Sequence, residues 1–312
     1  MAIPRWYVLA ALGGLTAVAC DGPGPAWNPG TSNDTGDTTA PVPIGLWVWD
    51  ADLPGDEAAT ADLLSFSDEH GVSTLFLACD PVGYGLEGAE ARTTSFVAEA
   101  HAAGLQVLGM SGYSWFTVPC DAQLPGQDTC WTEGWAVYEA CTASAVGFDG
   151  IMDDSEPAST PDGSFSTDYE QRAAWHVAYL EGIRGRIGDL PLHHAIPAWY
   201  DELDPISMDG GATTATLDAW IAGVVDVVGV MAYRDTAPEI LALAATELGR
   251  GPAWIGVETG PTDEGETVSF YDDGAAALAS ALEELADEVG GDPHLAGLMV
   301  DDYAHWRGLG AR

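Results

Sequence analysis

Asp153, Asp154 and Glu156 crowd into GFDGIMDDSEP, residues 147–157. Apolar Phe148, Ile151 and Met152 surround a tight Gly150, and Pro157 then breaks the run into a polar loop. The acids therefore belong at the C-terminal tip of a short buried strand, the end at which parallel α/β proteins keep their chemistry. Successive strand side chains point to opposite faces, so Met152, Asp154 and Glu156 share one face while Ile151, Asp153 and Ser155 share the other. Two inward carboxylates two residues apart form a candidate acid/base pair.

Such a tip needs a frame, and the chain supplies a repeating one. Short apolar runs recur at 44–49, 72–78, 105–110, 148–153, 191–197, 225–231, 253–258 and 295–301. Between them the spacing predicts helices over 57–70, 90–103, 132–146, 168–187, 213–222, 237–248 and 273–289. Strands that alternate with helices pair in parallel through right-handed crossovers, and eight repeats in about 270 residues fit a closed (β/α)8 TIM barrel better than an open sheet. Only YAHWRGLGAR follows the last run, so the eighth helix is expected to be short or missing. The barrel, as catalytic domain, is assigned to 44–312.

Polar and aromatic residues gather just after the runs. Trp49 and Asp50 follow or close the first, Tyr113 the third, Trp199 and Tyr200 the fifth, and Tyr233, Arg234 and Asp235 the sixth. Glu258 closes the seventh run, and Asp301, Asp302, Tyr303, His305 and Trp306 close or follow the eighth. A face of acids and rings suits a sugar, whose apolar faces stack on Trp and Tyr while its hydroxyls need acceptors. Trp49, Asp50, Tyr113, Trp199, Tyr200, Arg234, Asp235, Tyr303 and Trp306 are accordingly the expected substrate-binding residues. Trp175, Trp220 and Trp254, on helical or strand positions, read as core.

The stretch FDGIMDDSE resembles the fourth-strand signature of glycoside hydrolase family 18, the chitinase-like barrels, in which an apolar residue precedes DGxDxDxE. Asp149 and Gly150 match its opening, Asp154 its last Asp and Glu156 its catalytic acid, while Met152 stands where the middle Asp would be. VMAYRD, 230–235, is similar to that family's sixth-strand MxYD, with Met231 and Tyr233 matching and Arg234 displacing the Asp by one position. Trp306 follows the eighth run, where the family stacks a tryptophan under the sugar. The resemblance implies Glu156 as general acid, Asp154 as the group that orients and stabilises a substrate N-acetyl nucleophile, and Tyr233 as a hydrogen-bond partner of that acetamide. Met152 favours a different reading, a catalytically silent carbohydrate-binding barrel.

A rival mechanism uses the same acid. SEP at 155–157 resembles the NEP of retaining glycosidases, with Ser155 in place of Asn; there Glu156 would be the acid/base and Glu258 the nucleophile, with carboxyl groups about 5–5.5 Å apart. A metal-dependent hydrolase is a third reading. His193 and His194 point to opposite strand faces, so at most one enters the barrel, where it could join Asp153 or Asp301. The preferred assignment has no metal and no cofactor.

Composition narrows the partners. The 312 residues carry 49 Asp plus Glu against 9 basic residues, all of them Arg, for a net charge of −40. The absence of lysine excludes a lysine Schiff base and a P-loop lysine, and the charge repels nucleic acid and anionic lipid. At the N-terminus, Arg5 and an apolar run to Ala19 lead into AVAC, 17–20. Residues 1–20 read as a secretory signal with a lipobox in which Cys20 is lipidated, making the protein a bacterial cell-envelope lipoprotein or a secreted one, touching the membrane only through that anchor. Residues 21–43, rich in Pro, Gly, Thr and Asp, read as a flexible linker. Cys79, Cys120, Cys130 and Cys141 remain, an even number with three possible pairings, of which Cys120–Cys130 is favoured because it brackets a short loop. Nothing in the sequence speaks to oligomeric state.

Overall fold

The computed structural model describes residues 41–310, apart from 143–144, 161–162, 164, 209–210, 263–264 and 266. The expected signal, Cys20 and most of the linker lie outside the described residues.

Eight strands form the centre: β1 (Ile44–Val48), β2 (Val72–Ala78), β3 (Gln106–Ser111), β4 (Gly150–Asp153), β5 (Leu192–Pro197), β6 (Val227–Met231), β7 (Ala253–Glu258) and β8 (Leu295–Asp301). Each falls on one of the predicted apolar runs. They pair in parallel in chain order, and β8 pairs with β1 to close the barrel. The helices are α1 (Glu57–Glu69), α2 (Asp80–Gly83), α3 (Ala89–Ala102), α4 (Trp131–Cys141), α5 (Tyr169–Arg184), α6 (Leu217–Ala222), α7 (Ala237–Leu248), α8 (Ala275–Val289) and α9 (Tyr303–Leu309). Helix α9, at seven residues, is the short eighth helix the sequence predicts; α2 is an extra turn at the end of β2. None of the described helices is long and apolar enough to cross a membrane.

Strands buried on both faces read as continuous apolar runs, and register sorts their side chains into two layers. The pairings Trp47↔Phe76, Phe76↔Leu108, Met110↔Met152, Met152↔His193, Gly229↔Trp254 and Gly256↔Met299 align the inward positions. The interior is thus filled by large, polarisable side chains, among them Trp47, Phe76, Met110, Met152, Trp254 and Met299, all at most 1% exposed. Glycine makes the room: a Cβ at Gly45 would stand 2.6 Å from the Phe76 ring and 3.3 Å from Trp254. The alternate positions, such as Leu46, Leu75, Val107, Ile151, Ile196, Val230, Ile255 and Val300, belong to the aliphatic layer under the helices.

Two disulfides tie the segments around β3. Cys79–Cys141 joins the end of β2 to α4, and Cys120–Cys130 closes the loop after β3, the pairing the short spacing favours.

Candidate active site

The tip of β4 follows the expected alternation. Met152 is inside the barrel and fully buried. Asp153, equally buried, faces the helices: its Oδ1 accepts from Tyr138 Oη of α4 (2.7 Å), Ser155 Oγ (2.9 Å) and Tyr179 Oη of α5 (3.2 Å). Its Oδ2 lies 2.8 Å from His194 Nδ1. The next residue turns back inward. The Asp154 N–H donates to Ser111 O (2.9 Å), carrying the β3–β4 ladder one residue further. Asp154 Oδ1 is sealed from solvent and has no hydrogen-bond partner. Burial pushes this carboxyl well above the usual carboxylate range, and the negative charges of Glu156, Asp301 and Asp153 push it further. Gly112 allows the approach, since a Cβ there would stand 2.5 Å from Asp154 O and 2.8 Å from its Cβ.

Glu156 closes the extended segment before a 3-10 turn at Pro157–Ser159. It lines a cleft of about 510 Å³ together with Pro197, Trp199, Glu202, Met231, Tyr233 and Arg234.

A second pair of acids stands at the ends of β7 and β8, where Glu258 and Asp301 are register partners and face inward. Asp301 Oδ1 accepts from Trp49 Nε1 and its Oδ2 from Tyr233 Oη, each at 3.3 Å. Burial, with the charges of Glu258 and Asp302 added, raises Asp301 to about 8. Glu258 is also raised by burial, opposed by the backbone N–H groups of Gly260 (2.5 Å) and Thr259 (2.8 Å), both on its Oε1. Tyr233 joins the two pairs. Its hydroxyl is raised well above the usual phenol range by burial and then by Asp301, Glu258, Asp154 and Glu156, so it stays protonated and donates. The mouth of the barrel therefore holds four carboxylates around one phenol, a setting that favours proton-sharing and stabilises positive charge.

The expected residues divide. Glu156, Trp199, Tyr233 and Arg234 meet at the cleft, with Trp199 42% exposed. Trp49 sits behind them on Asp301. Tyr113 is at the rim, 41% exposed, its hydroxyl donating to Asp128 (3.0 Å to Oδ2) and its N–H to Ser155 Oγ (3.4 Å). Asp50 accepts the Asp52 N–H (3.0 Å) in an exposed turn, and neither it nor Asp235 lines the cleft.

Three assignments are corrected. Trp306, expected under a sugar, is 5% exposed and packs on Phe66 of α1 and on His70 just after that helix, with ring centroids 5.2 and 5.0 Å away. Tyr303 packs on the same Phe66 (5.4 Å) and donates to Asp62 (2.5 Å). The reason is helical spacing: Tyr303, Trp306 and Leu309 recur every third residue, forming the apolar stripe by which α9 covers the barrel. Tyr200, in the 3-10 turn at Ala198–Glu202, is fully buried, stacked on Phe165 (6.1 Å) and edge to face with Trp199 (4.9 Å), so it packs beneath the exposed indole and does not line the cleft.

Sequence reasoning left Asp301 and Gly112 out of the site. Asp301 closes an apolar run just as Asp153 does, which is a signal of strand-tip placement; the role of Gly112 depends on a contact with Asp154 that spacing does not reveal. The two strand-five histidines separate as the alternation requires. His193 accepts from Trp254 Nε1 (3.1 Å) inside the barrel, and His194 meets Asp153 on the helix side, so neither lines the cleft.

No known family model and no curated protein sequence matches the chain. Among solved structures it is similar to the spore cortex-lytic enzyme SleL of Bacillus cereus, with 12% identity over 87% of this chain and 74% of that one and a TM-score of 0.50. A fungal beta-1,4-galactanase aligns at 11% identity over 84% of this chain and 89% of its own, also with a TM-score of 0.50. A GH18 chitinase from Pseudoalteromonas aurantia aligns at 12% identity over 86% and 99%, with a TM-score of 0.47. The shared feature is the barrel. At such identities the likeness speaks to fold alone.

Proposed function

We propose that this barrel is a glycoside hydrolase acting on a poly- or oligosaccharide, with Glu156 as the acid that protonates the glycosidic oxygen and Asp154 as the carboxyl beside it that stabilises the charge developing on the sugar. The observation that carries this reading is the placement of Glu156 on a cleft wall shared with Trp199, Tyr233 and Arg234, next to an Asp154 whose Oδ1 has no partner within the protein. An exposed indole offers a stacking face, and the guanidinium and phenol offer donors to sugar hydroxyls. The barrels it is similar to include, by name, a spore cortex-lytic enzyme and beta-1,4-galactanases, and the galactanase name agrees with this choice of substrate class.

One feature supports the strand-four pair over a nucleophilic Glu258: two backbone N–H groups hold Glu258 Oε1, whereas Asp154 Oδ1 has no partner within the protein. Asp301, contributed by β8, adds the inward carboxyl that Met152 does not provide. Tyr233 then serves as a positioning donor.

A catalytically silent carbohydrate-binding barrel is the second reading, favoured by Met152 lying fully buried between Met110 and His193 in the register of the three strands. The test is a screen of the full chain on chitin-type, β-glucan and α-linked oligosaccharides beside Glu156→Gln. The proposal expects cleavage of one class and a loss of about 10²–10⁴-fold in the variant; full activity in Glu156→Gln would remove the acid assignment, and saturable binding without cleavage would favour the silent barrel. Abolition of turnover by a chelator, with the fold intact, would point instead to a metal-dependent hydrolase.

The protein is further proposed to work outside the cytoplasm, anchored through a lipid on Cys20 or secreted. Two disulfides fit an oxidising compartment. Metabolic labelling with a fatty acid should mark the wild type and spare Cys20→Ala; equal labelling would overturn the anchor.

A further inference from the structure

Behind the catalytic face, between β4, β5 and α5, lies a cluster that the proposed reaction does not use. Asp153, His194 and His176 are each fully buried, and one ligand atom from each lies within 4.8 Å of the other two. The two imidazoles meet edge to face, with centroids 4.8 Å apart. His194 Nε2 and both ring nitrogens of His176 have no hydrogen-bond partner. A neutral imidazole carries a donor and an acceptor, and leaving both unmet in a sealed position is costly. Beyond His176 stands Tyr200, 6.4 Å away between centroids, its hydroxyl also sealed and unpartnered. The carboxylate is in the contrasting condition, since Tyr138, Tyr179 and Ser155 all donate to its Oδ1.

We infer that Asp153, His194 and His176 form a buried binding site for a divalent transition ion of the Zn²⁺ type. Imidazole nitrogen and carboxylate oxygen are the donor set that such an ion accepts at about 2.0–2.2 Å, which places neighbouring ligand atoms about 3.3 Å apart in a tetrahedron. In the present structure the ligand atoms lie within 4.8 Å of one another, so binding would draw them together. The hydroxyls on Asp153 Oδ1 supply the outer shell that fixes a ligating carboxylate, and Oδ2, which points at His194 and accepts only a long bond from the Ser155 N–H (3.3 Å), is the oxygen for the ion. The site lies on the helix side of the barrel, away from the cleft, so its ion would be structural. It would pin α5 to the tips of β4 and β5, directly beneath the backbone that carries Asp154 and Glu156.

Zinc itself is the probe, with Co²⁺ as the spectroscopic substitute. The full chain, refolded or expressed with Zn²⁺ and dialysed against buffer, should retain about one equivalent by elemental analysis, and Co²⁺ should give the visible absorption bands of a low-coordinate nitrogen and oxygen site. Metal content should fall at least tenfold in His176→Ala and stay unchanged in His101→Ala, a surface control. Because His176→Ala could fail to fold, the wild type carries its own test: adding Zn²⁺ to metal-free protein should raise Tm by about 5–10 °C. Metal below a tenth of an equivalent for Zn²⁺, Co²⁺, Ni²⁺, Cu²⁺ and Mn²⁺ alike, with Tm unmoved, would overturn the site and leave a buried water between the rings as its content. Metal retained in a folded His176→Ala would overturn it equally.

Discussion

Asp153 and Asp154 are consecutive at the tip of β4, yet the fold gives them opposite surroundings. Asp153, on the helix side, has both hydroxyls of Tyr138 and Tyr179, the Ser155 hydroxyl and the His194 ring around its two oxygens. Asp154, on the barrel side, has an oxygen with no donor and three negative neighbours. A buried carboxylate surrounded by donors anchors structure, and one placed among like charges costs stability unless it is protonated or meets a ligand. Strand alternation thus gives one acid a satisfied, structural setting and the other the unsatisfied setting that the proposed chemistry uses, a difference that mutation can probe directly.

The largest expected effect comes from exchanging roles. Asp153→Ala leaves four donors facing a cavity and should destabilise the protein by about 3–5 kcal/mol in urea unfolding. Asp154→Asn should leave stability equal or higher while lowering kcat by about 10²-fold or more. A stable Asp153→Ala beside an unstable Asp154→Asn would break the comparison. Removing one support at a time is gentler: Tyr179→Phe, which takes away a hydroxyl 3.2 Å from Asp153, should cost about 0.5–1.5 kcal/mol with little change in kcat.

Asp301 extends the comparison to pH. Its carboxyl is raised to about 8 in the fold from an ordinary 3.8, so between those values the folded state holds a proton that the unfolded chain has released. Its contribution to stability is therefore full below about pH 4 and is lost as pH rises through about 8. Glu258, Asp302 and Asp154 face the same group and carry the same sign of charge, while Trp49 and Tyr233 donate to it. Asp301→Asn should flatten the fall in Tm between pH 5 and pH 9; a slope as steep as that of the wild type would assign it to other acids. Gly112→Ala tests the same tip by crowding. Its Cβ would stand 2.5 Å from Asp154 O, so the backbone must shift, and the variant should lower both kcat, by about tenfold, and Tm.

Much of this was legible in the chain because it depends on local rules. The eight apolar runs became the eight strands, and period-two alternation alone separated Asp153 from Asp154 and His193 from His194. The same locality misled at the last helix. Tyr303 and Trp306 looked like site residues because they follow a strand, but a seven-residue helix with apolar positions every third residue needs them for its packing face. Asp301 needed knowledge of a different order: its value comes from Tyr233, 68 residues earlier, and Trp49, 252 residues earlier, partners that only barrel closure brings together. Tyr200 was lost for a smaller reason, a 3-10 turn that alternates neighbours differently from a strand.

The proposed catalysis rests most directly on Glu156. Measuring kcat and KM for Glu156→Gln against the wild type, on whichever glycan class the wild type cleaves, should show kcat reduced by about 10²–10⁴-fold with KM within a few-fold, since the amide keeps the shape and loses the proton. An unchanged kcat would contradict the placement of the acid at the tip of β4.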